Sequence, residues 1–461
     1  MALTRELGEF VSQLQYRDLP ADGIRVAKLG FVDCVGVMMA GSVEPVAKIV
    51  ARTVLDGCDK REASLFFSEK RAAAPLAAWI NGSAAHALDY DDAGGHRSAI
   101  LVSTLLAEGE ALGASGADMI TAYVAAYEVW SELALREKGQ LHERGWHPTG
   151  VYGAIAAAAA ASRLRGLNAE RTAAALAIAA SEASGIVANF GTMVKPFHVG
   201  NNARAGIYAA RLSANGMTAS ASAFEHERGF LAAISQHGDC DRTRPASGLG
   251  VDWRISRDGV SIKKFPMCYG THRAIDAMLE LVIAQDVNAA DVEKIDVLIG
   301  KTQRAILSQD NPRTGLEAKF SIQFAMACAL IERKVTLVEL VDEVVQRSDM
   351  QRMMQRVKVS INPEYDPEAS PFGTYDQVTL RLKSGRVLES ERVKRARGHI
   401  SRPLNEQELY QKFASCLDFA ASDLDRRGLF DTLNNLERLP AGWLTAAIAN
   451  KGRTAAATIA A

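Results

Sequence analysis

What this sequence lacks narrows its chemistry. None of its six cysteines (Cys34, Cys58, Cys240, Cys268, Cys328 and Cys416) stands in a CxxC pair, so neither a zinc ribbon nor a dithiol redox centre is expected. There is no glycine-rich phosphate loop and no Cys/His set at ligand spacing, so no metal and no organic cofactor is expected. Charge of one sign is also missing. The 53 Lys and Arg residues nearly balance 54 Asp and Glu, for a net charge of −1. Nothing therefore draws the whole chain to nucleic acid or to an anionic membrane, and an anionic substrate has to be caught by a local cationic pocket. Long apolar runs are absent too. The longest small-apolar run, Gly153 to Ala161, is stopped by Ser162 and Arg163 and is too short to span a bilayer. Arg5 and Glu6 come early with no apolar segment behind them, so no signal peptide is expected, and scattered thiols fit the reducing cytoplasm.

What is present reads as an ordinary globular chain, with 48% hydrophobic and 23% charged residues, and disorder is not expected. A length of 461 residues exceeds one typical core, so two domains are expected. The first half is patterned as helices. Ser115 with Asp118 makes a capping signal, and Ile120, Tyr123, Val124 and Tyr127 follow as one apolar stripe. An alanine-rich helix is expected from about Gly150 to Leu164. Gly166 stops it and Asn168 caps the next, which carries Thr172 to Ala180. Helices this poor in large and charged side chains suit the buried centre of a helical domain. Near residue 255 the period changes to two. Ile295, Val297 and Ile299, then Val357, Val359 and Ile361, then Val378, Leu380 and Leu382 alternate with other residues as strands do. Lys383 to Arg386 makes a turn into Val387 and Leu388, and helices are expected around Arg273 to Ala284 and Ser321 to Ile331. After Pro403 the helical pattern returns, with Asn405 and Glu408 as the capping signal. The expected organisation is a mainly α chain, with a helical domain over residues 1–258 completed by 400–461 and an α+β domain over 259–399.

Four stretches hold the chemistry. Leu88 to Arg97 packs Asp89, Asp91 and Asp92 into four positions, followed by Gly94, Gly95 and His96. The cluster alone fits a solvated helix end, a metal site or an acid–base centre. Gly145 to Gly150 puts His147 at a helix entry, where the positive end of the helix disfavours imidazolium and leaves a ring able to accept a proton; a packed or surface histidine is the plain alternative. Gly191 to Gly200 sets Lys195 among apolar neighbours, so a buried ammonium that needs an anion is one reading and a snorkelling lysine the other. Ile262 to His272 combines Lys263, Lys264, Cys268, Tyr269, Thr271 and His272 at the expected domain junction. Nothing lowers the pKa of Cys268 in the sequence, so it is not read as a nucleophile.

Together these stretches resemble the MmgE/PrpD family. His86 to Asp92 matches H-x-L-D-[FY]-D-D and is followed by His96. Gly145 to Thr149 matches G-W-H-x-T, and Gly191 to Gly200 matches G-T-x-x-K-x-x-H-x-G. Lys263 to Pro266 with Thr271-His272, Glu317 to Ser321, and Arg402 to Leu404 extend the likeness, in family order, from His86 to Leu404. The resemblance implies a large all-helical domain formed by both chain ends, a smaller inserted α+β lid, a homodimer, and chemistry on small carboxylic acids without an Fe–S cluster: dehydration of 2-methylcitrate, decarboxylation of cis-aconitate or epimerisation of iminodisuccinate. It implies pocket residues Asp89, His96, His147, Lys195, Lys263 and His272, with His198 and Cys268 also touching substrate. Two departures stand out: the family's decarboxylases carry threonine where Ala93 stands and histidine where Cys268 stands. All three reactions build negative charge next to a carboxylate, which calls for a base or acid and fixed cations. The first expectation is therefore a dehydratase of a 2-hydroxy di- or tricarboxylate. In it His147 is acid–base, Asp89 orients or relays, Lys195 and Lys263 hold carboxylates, and His96 and His272 line the pocket. An epimerase, a decarboxylase and a non-catalytic helical binding protein are the alternatives.

Overall fold

A computed structural model describes residues 3–138, 141–235, 239–365 and 373–443. The chain is mainly helical with a small sheet, and its backbone divides into two compact units, 1–260 with 410–461, and 261–409.

Among the described residues, the first unit up to residue 214 carries the helices α1 (Leu3–Gln13), α2 (Ala21–Gly41), α3 (Pro45–Val54), α4 (Ala74–Ala87), α5 (Arg97–Leu112), α6 (Gly116–Arg136), α7 (Pro148–Leu164), α8 (Ala169–Glu182) and α9 (Val194–Ala214). The capping signals form as bonds. Ser115 Oγ accepts from the Asp118 N–H at 3.2 Å while Asp118 accepts from the Ser115 N–H at 3.1 Å, and Asn168 accepts from the Arg171 N–H at 2.9 Å. The alanines from Ala156 to Ala161 are all fully buried. Helix α9 lies against both α4 and α7, and two glycines permit that approach. A Cβ on Gly200 would sit 2.0 Å from the Trp79 carbonyl oxygen of α4, and one on Gly206 would sit 2.4 Å from the Ala157 Cβ of α7. Small residues on three helices thus bring their axes close enough for side chains at their ends to meet.

The expectation of an all-helical unit needs one correction. Ala63–Ser64 pairs antiparallel with Arg71–Ala72. Two residues per strand leave no period to read; the pair is tied down instead by Glu110 of α5. Its carboxylate accepts from the Ser64 N–H at 2.7 Å and from Arg71 Nη1 at 2.6 Å. Helix α7 also starts at Pro148 rather than Gly150, because proline suits the first turn, where its missing N–H would have no partner.

In the second unit Val292–Gly300 is a central strand, parallel to Val357–Asn362 and antiparallel to Gln377–Leu382, which pairs with Val387–Glu389. Ile295, Val297 and Ile299 are fully buried, as the alternation requires. The strand Val357–Asn362 lies at the sheet edge and is less covered, with Ile361 44% exposed. The expected turn forms: Gly385 adopts φ +84° and the Leu382 N–H donates to Arg386 O at 2.9 Å. Helices His272–Ala284 and Ile322–Glu332 contribute to the same core. Among the described residues no single helix is long and apolar enough to cross a membrane.

Candidate functional site

Four helix ends of the first unit deliver its chemistry. His86 is in the last turn of α4. His96 and His147 are the residues immediately before α5 and α7, and Lys195 lies in the first turn of α9, with His198 one turn on. Three helix N-termini, each carrying partial positive charge, therefore hold ionisable groups of the site. The turn between α4 and α5 is strained where it matters. Asp89 and His96 have φ of 51° and 57°, a left-handed conformation that costs a side-chain-bearing residue about 1–2 kcal/mol and that clusters at functional positions. Gly94 and Gly95, at φ of 85° and 111°, let the chain reverse between them.

Asp89 is buried and forms an ion pair with the buried Lys195 ammonium, so the lysine has the anion its surroundings demand. His96 Nε2 lies 3.9 Å from Asp89 Oδ1. Asp91 accepts from His86 Nδ1 at 2.9 Å and from His96 Nδ1 at 3.0 Å. His147 and His198 share a bond between their Nδ1 atoms at 3.1 Å, and the His147 N–H donates to Gly185 O at 3.0 Å. Phe190 joins the two sides: its ring meets His147 edge-on at 4.8 Å and lies 5.1 Å from Lys195 Nζ. His147 and Lys195, on different helices, thus flank one aromatic ring.

Burial and then the Lys195 charge push His147 well below the usual imidazole range, and the same two causes lower His198. Burial takes His86 down to about 4 against the pull of Asp91. All three rings are neutral at pH 7. Burial alone would raise the Asp91 carboxyl, but His86 and His96 hold it well below the usual carboxylate range. Its neighbour Asp92 goes the other way, up to about 7, through burial and then the charges of Asp91 and Asp33. Asp92 accepts from the Ser98 N–H at 3.2 Å and from Ser98 Oγ at 3.0 Å, so it caps α5. Lys412, from the C-terminal part of the chain, pairs with Asp33 at 2.5 Å and donates to Tyr90 O at 2.9 Å, which braces the turn from behind.

His86, Asp89, Asp91 and His96 offer donor atoms within 4.8 Å of one another, a set that by type and spacing invites a divalent ion. Its carboxylates are already committed. Both Asp91 oxygens hold imidazoles, and the Lys195 ammonium on Asp89 would repel a second cation. The set fits an acid–base centre better than a metal.

Lys263, Cys268 and His272 belong to the second unit. Lys263 and His272 are buried. His272 opens its helix with Nε2 3.2 Å from Met267 O, between the rings of Phe265 and Tyr269, and the Cys268 N–H donates to Lys319 O at 2.9 Å. A separate groove in the first unit, about 540 Å³, is lined by Glu6, Glu9, Phe10, Asp18 and Trp253 among others. Its acidic rim does not suit a carboxylate ligand.

A family model described as the MmgE/PrpD N-terminal domain matches residues 5–243, and one for the MmgE/PrpD C-terminal domain matches residues 265–435. The chain belongs to the MmgE/PrpD family. Among its relatives, the cis-aconitate decarboxylase of Mus musculus is 27% identical over 428 residues, covering 89% of this chain and 86% of the mouse protein. That of Homo sapiens is 29% identical over 377 residues, covering 79% and 76%. That of Aspergillus terreus is 22% identical, covering 95% and 94%.

Three residues of this MmgE/PrpD site had no assigned role in the sequence reading. His86 and Asp91 stood inside a recognised motif, but five positions apart no helix or strand period pairs them; the left-handed turn at Asp89 does. Phe190 carried no signal, since one aromatic in a loop has many uses.

Proposed function

We propose that the chain is a lyase that breaks a bond next to a carboxylate of a small di- or tricarboxylic acid, using its own side chains as acid, base and charge partner. The observation that carries this is the buried Lys195 ammonium, paired with Asp89, on the same Phe190 ring as a neutral His147. An ammonium so little screened can hold a substrate carboxylate and the charge that develops beside it. A neutral imidazole can take a proton. A substrate with several negative charges also raises the pKa of nearby imidazoles, so the same ring becomes protonated as substrate binds and can return a proton to carbon. In this reading His147 handles the proton, Asp89 orients Lys195, and His96 and His198 line the pocket. Lys263 keeps the carboxylate-holding role, His272 the pocket-lining role and Cys268 the substrate contact that the resemblance implies.

Loss of carbon dioxide from a cis-aconitate-like acid is the form supported by the mouse, human and fungal relatives, which are cis-aconitate decarboxylases. Dehydration of a 2-hydroxy acid is the second reading, favoured by Ala93 and Cys268, the two departures from the family's decarboxylases. Proton NMR in D₂O with cis-aconitate, 2-methylcitrate and iminodisuccinate separates them. Carbon dioxide release with a deuterium-labelled product supports decarboxylation, an alkene without carbon dioxide supports dehydration, and exchange of the α-proton alone points to epimerisation. No reaction with any of the three sinks the lyase reading. The homodimer that the family likeness implies is tested by sedimentation of the full chain.

A further inference from the structure

Asp91 takes hydrogen bonds from two imidazoles at once, and both arrive at Nδ1: His86 on Oδ1 at 2.9 Å and His96 on Oδ2 at 3.0 Å. An ionised carboxylate only accepts. Each ring, when neutral, must therefore carry its hydrogen on Nδ1 and leave Nε2 bare. A single buried side chain thus sets two tautomers together. The bare nitrogens are placed where they matter. His96 Nε2 faces the Asp89–Lys195 pair, 3.9 Å from Asp89 Oδ1. His86 Nε2 is buried and has no hydrogen-bond partner among the described residues. An imidazole kept only for architecture would have that nitrogen satisfied, since a buried acceptor left alone costs about 1–3 kcal/mol. His86 also sits within its set: its ring stacks on His147 at 6.1 Å and 23° and meets His96 edge-on at 4.3 Å.

We propose that Asp91 is a positioning residue that fixes the tautomers of His86 and His96 together, and that His86, through its bare Nε2, is a further proton-transferring residue of the reaction. The second half rests on the lyase reading above. In the decarboxylating direction the C–C bond to the leaving carboxylate breaks, carbon dioxide departs and the electron pair stays on carbon. The proton that forms the new C–H bond comes from the His147 imidazolium, the Nε2–H of the charged His86 ring stacked beside it replaces that proton, and the neutral His86 ring regains one from water. While the ring is charged, Asp91 lies against its Nδ1–H, where an opposite charge in a dry site is most effective. Lys195 and His96 oppose that charge and His147 stacks on the same ring, while Asp91 and Asp33 act on the neighbouring Asp92.

The test is nitrogen NMR of protein labelled with ¹⁵N-histidine, in which bare and hydrogen-bearing ring nitrogens resonate far apart; His86→Asn and His96→Asn assign the signals. In the wild-type protein both rings are expected to carry hydrogen on Nδ1. Asp91→Asn presents one acceptor and one donor, so one of the two rings should invert, with kcat reduced on the order of 10²–10⁴-fold. His86→Asn keeps a nitrogen donor where Nδ1 stood and removes the far edge of the ring with Nε2. It should lower kcat by on the order of 10²-fold or more with little change in KM, and alter the acid limb of the kcat profile. A wild-type protein with hydrogen on Nε2 of both rings overturns the positioning role, and wild-type turnover in a folded His86→Asn protein overturns the role of His86. A wild-type enzyme inactive on the whole substrate panel counts against the lyase reading, while the spectra, which need no substrate, still decide the tautomers.

Discussion

Each unit buries a charged cluster, and the two clusters are built in opposite ways. In the second unit Arg273 donates through Nη1 to Gly373 O at 2.8 Å and through Nη2 to Asp376 at 2.7 Å and Gln303 Oε1 at 2.8 Å. Gln303 in turn donates to Asp376 at 2.9 Å and to Gly270 O at 3.0 Å. The set ties the helices His272–Ala284 and Lys301–Ile306 to Gly270, Gly373 and Asp376, with a partner for each named group. In the first unit the Asp89–His96 turn holds two non-glycine residues in left-handed backbone, crowds Asp91 against Asp92 so that one carboxyl is held down and the other driven up, and leaves His86 Nε2 without a partner among the described residues. Buried charge with saturated bonding serves architecture. Buried charge with strain and an idle base serves chemistry, because those are the groups a ligand can still engage.

The contrast predicts different kinds of damage. The largest expected effect is on turnover: His147→Ala should lower kcat by about 10²–10⁴-fold, the usual contribution of a general acid–base group, with the melting temperature little changed. Steady-state kinetics beside a thermal melt checks this, and a large loss of stability with full turnover in the folded fraction would reverse the assignment. The mirror experiment is Asp376→Ala, which strands the Arg273 guanidinium in the interior. It should cost about 3–5 kcal/mol of stability and leave the turnover of the folded enzyme within a few-fold, as read by denaturant unfolding and activity normalised to folded protein.

Smaller effects test how the site is held. Gly206→Val forces a side chain into the space of Ala157 and should cost about 1–3 kcal/mol through overpacking. Because α9 carries Lys195 and His198, KM should rise as well, and a KM equal to that of the wild type would show that the α7–α9 contact does not set the site's geometry. Smallest is Asp92→Asn. The folded pKa of Asp92, raised to about 7, means that the native state binds the proton more tightly than the unfolded chain between about pH 4 and 7. Wild-type stability from this group is therefore full at the acid end of that window and lost as pH rises through it. The asparagine variant lacks that loss, so its melting temperature relative to wild type should be higher at pH 8 than at pH 5. An equal difference at both pH values would place Asp92 among ordinary carboxylates.

Much of the architecture was written locally. The Ser115, Asn168 and Asn405 caps, the alanine-rich helices, the period-two strands and the turn at Gly385 each depend on residues a few positions apart, where side-chain type and backbone preference act directly. The hairpin Ala63–Ser64 with Arg71–Ala72 was not legible, because it is held by Glu110 from a distant helix. Of the site, the sequence by itself supplied the ionisable groups, the glycine pair in the turn and the family likeness. It also placed His147 at a helix start. Only the tertiary structure decided the partners. Lys195 and Asp89 are 106 positions apart and meet because Gly200 and Gly206 let α9 lie close on α4 and α7. Asp91 is distinguished from Asp92 by nothing in composition. One faces two imidazoles and the other a serine and like charges, and a carboxyl's protonation follows what surrounds it in space rather than its neighbours in the chain.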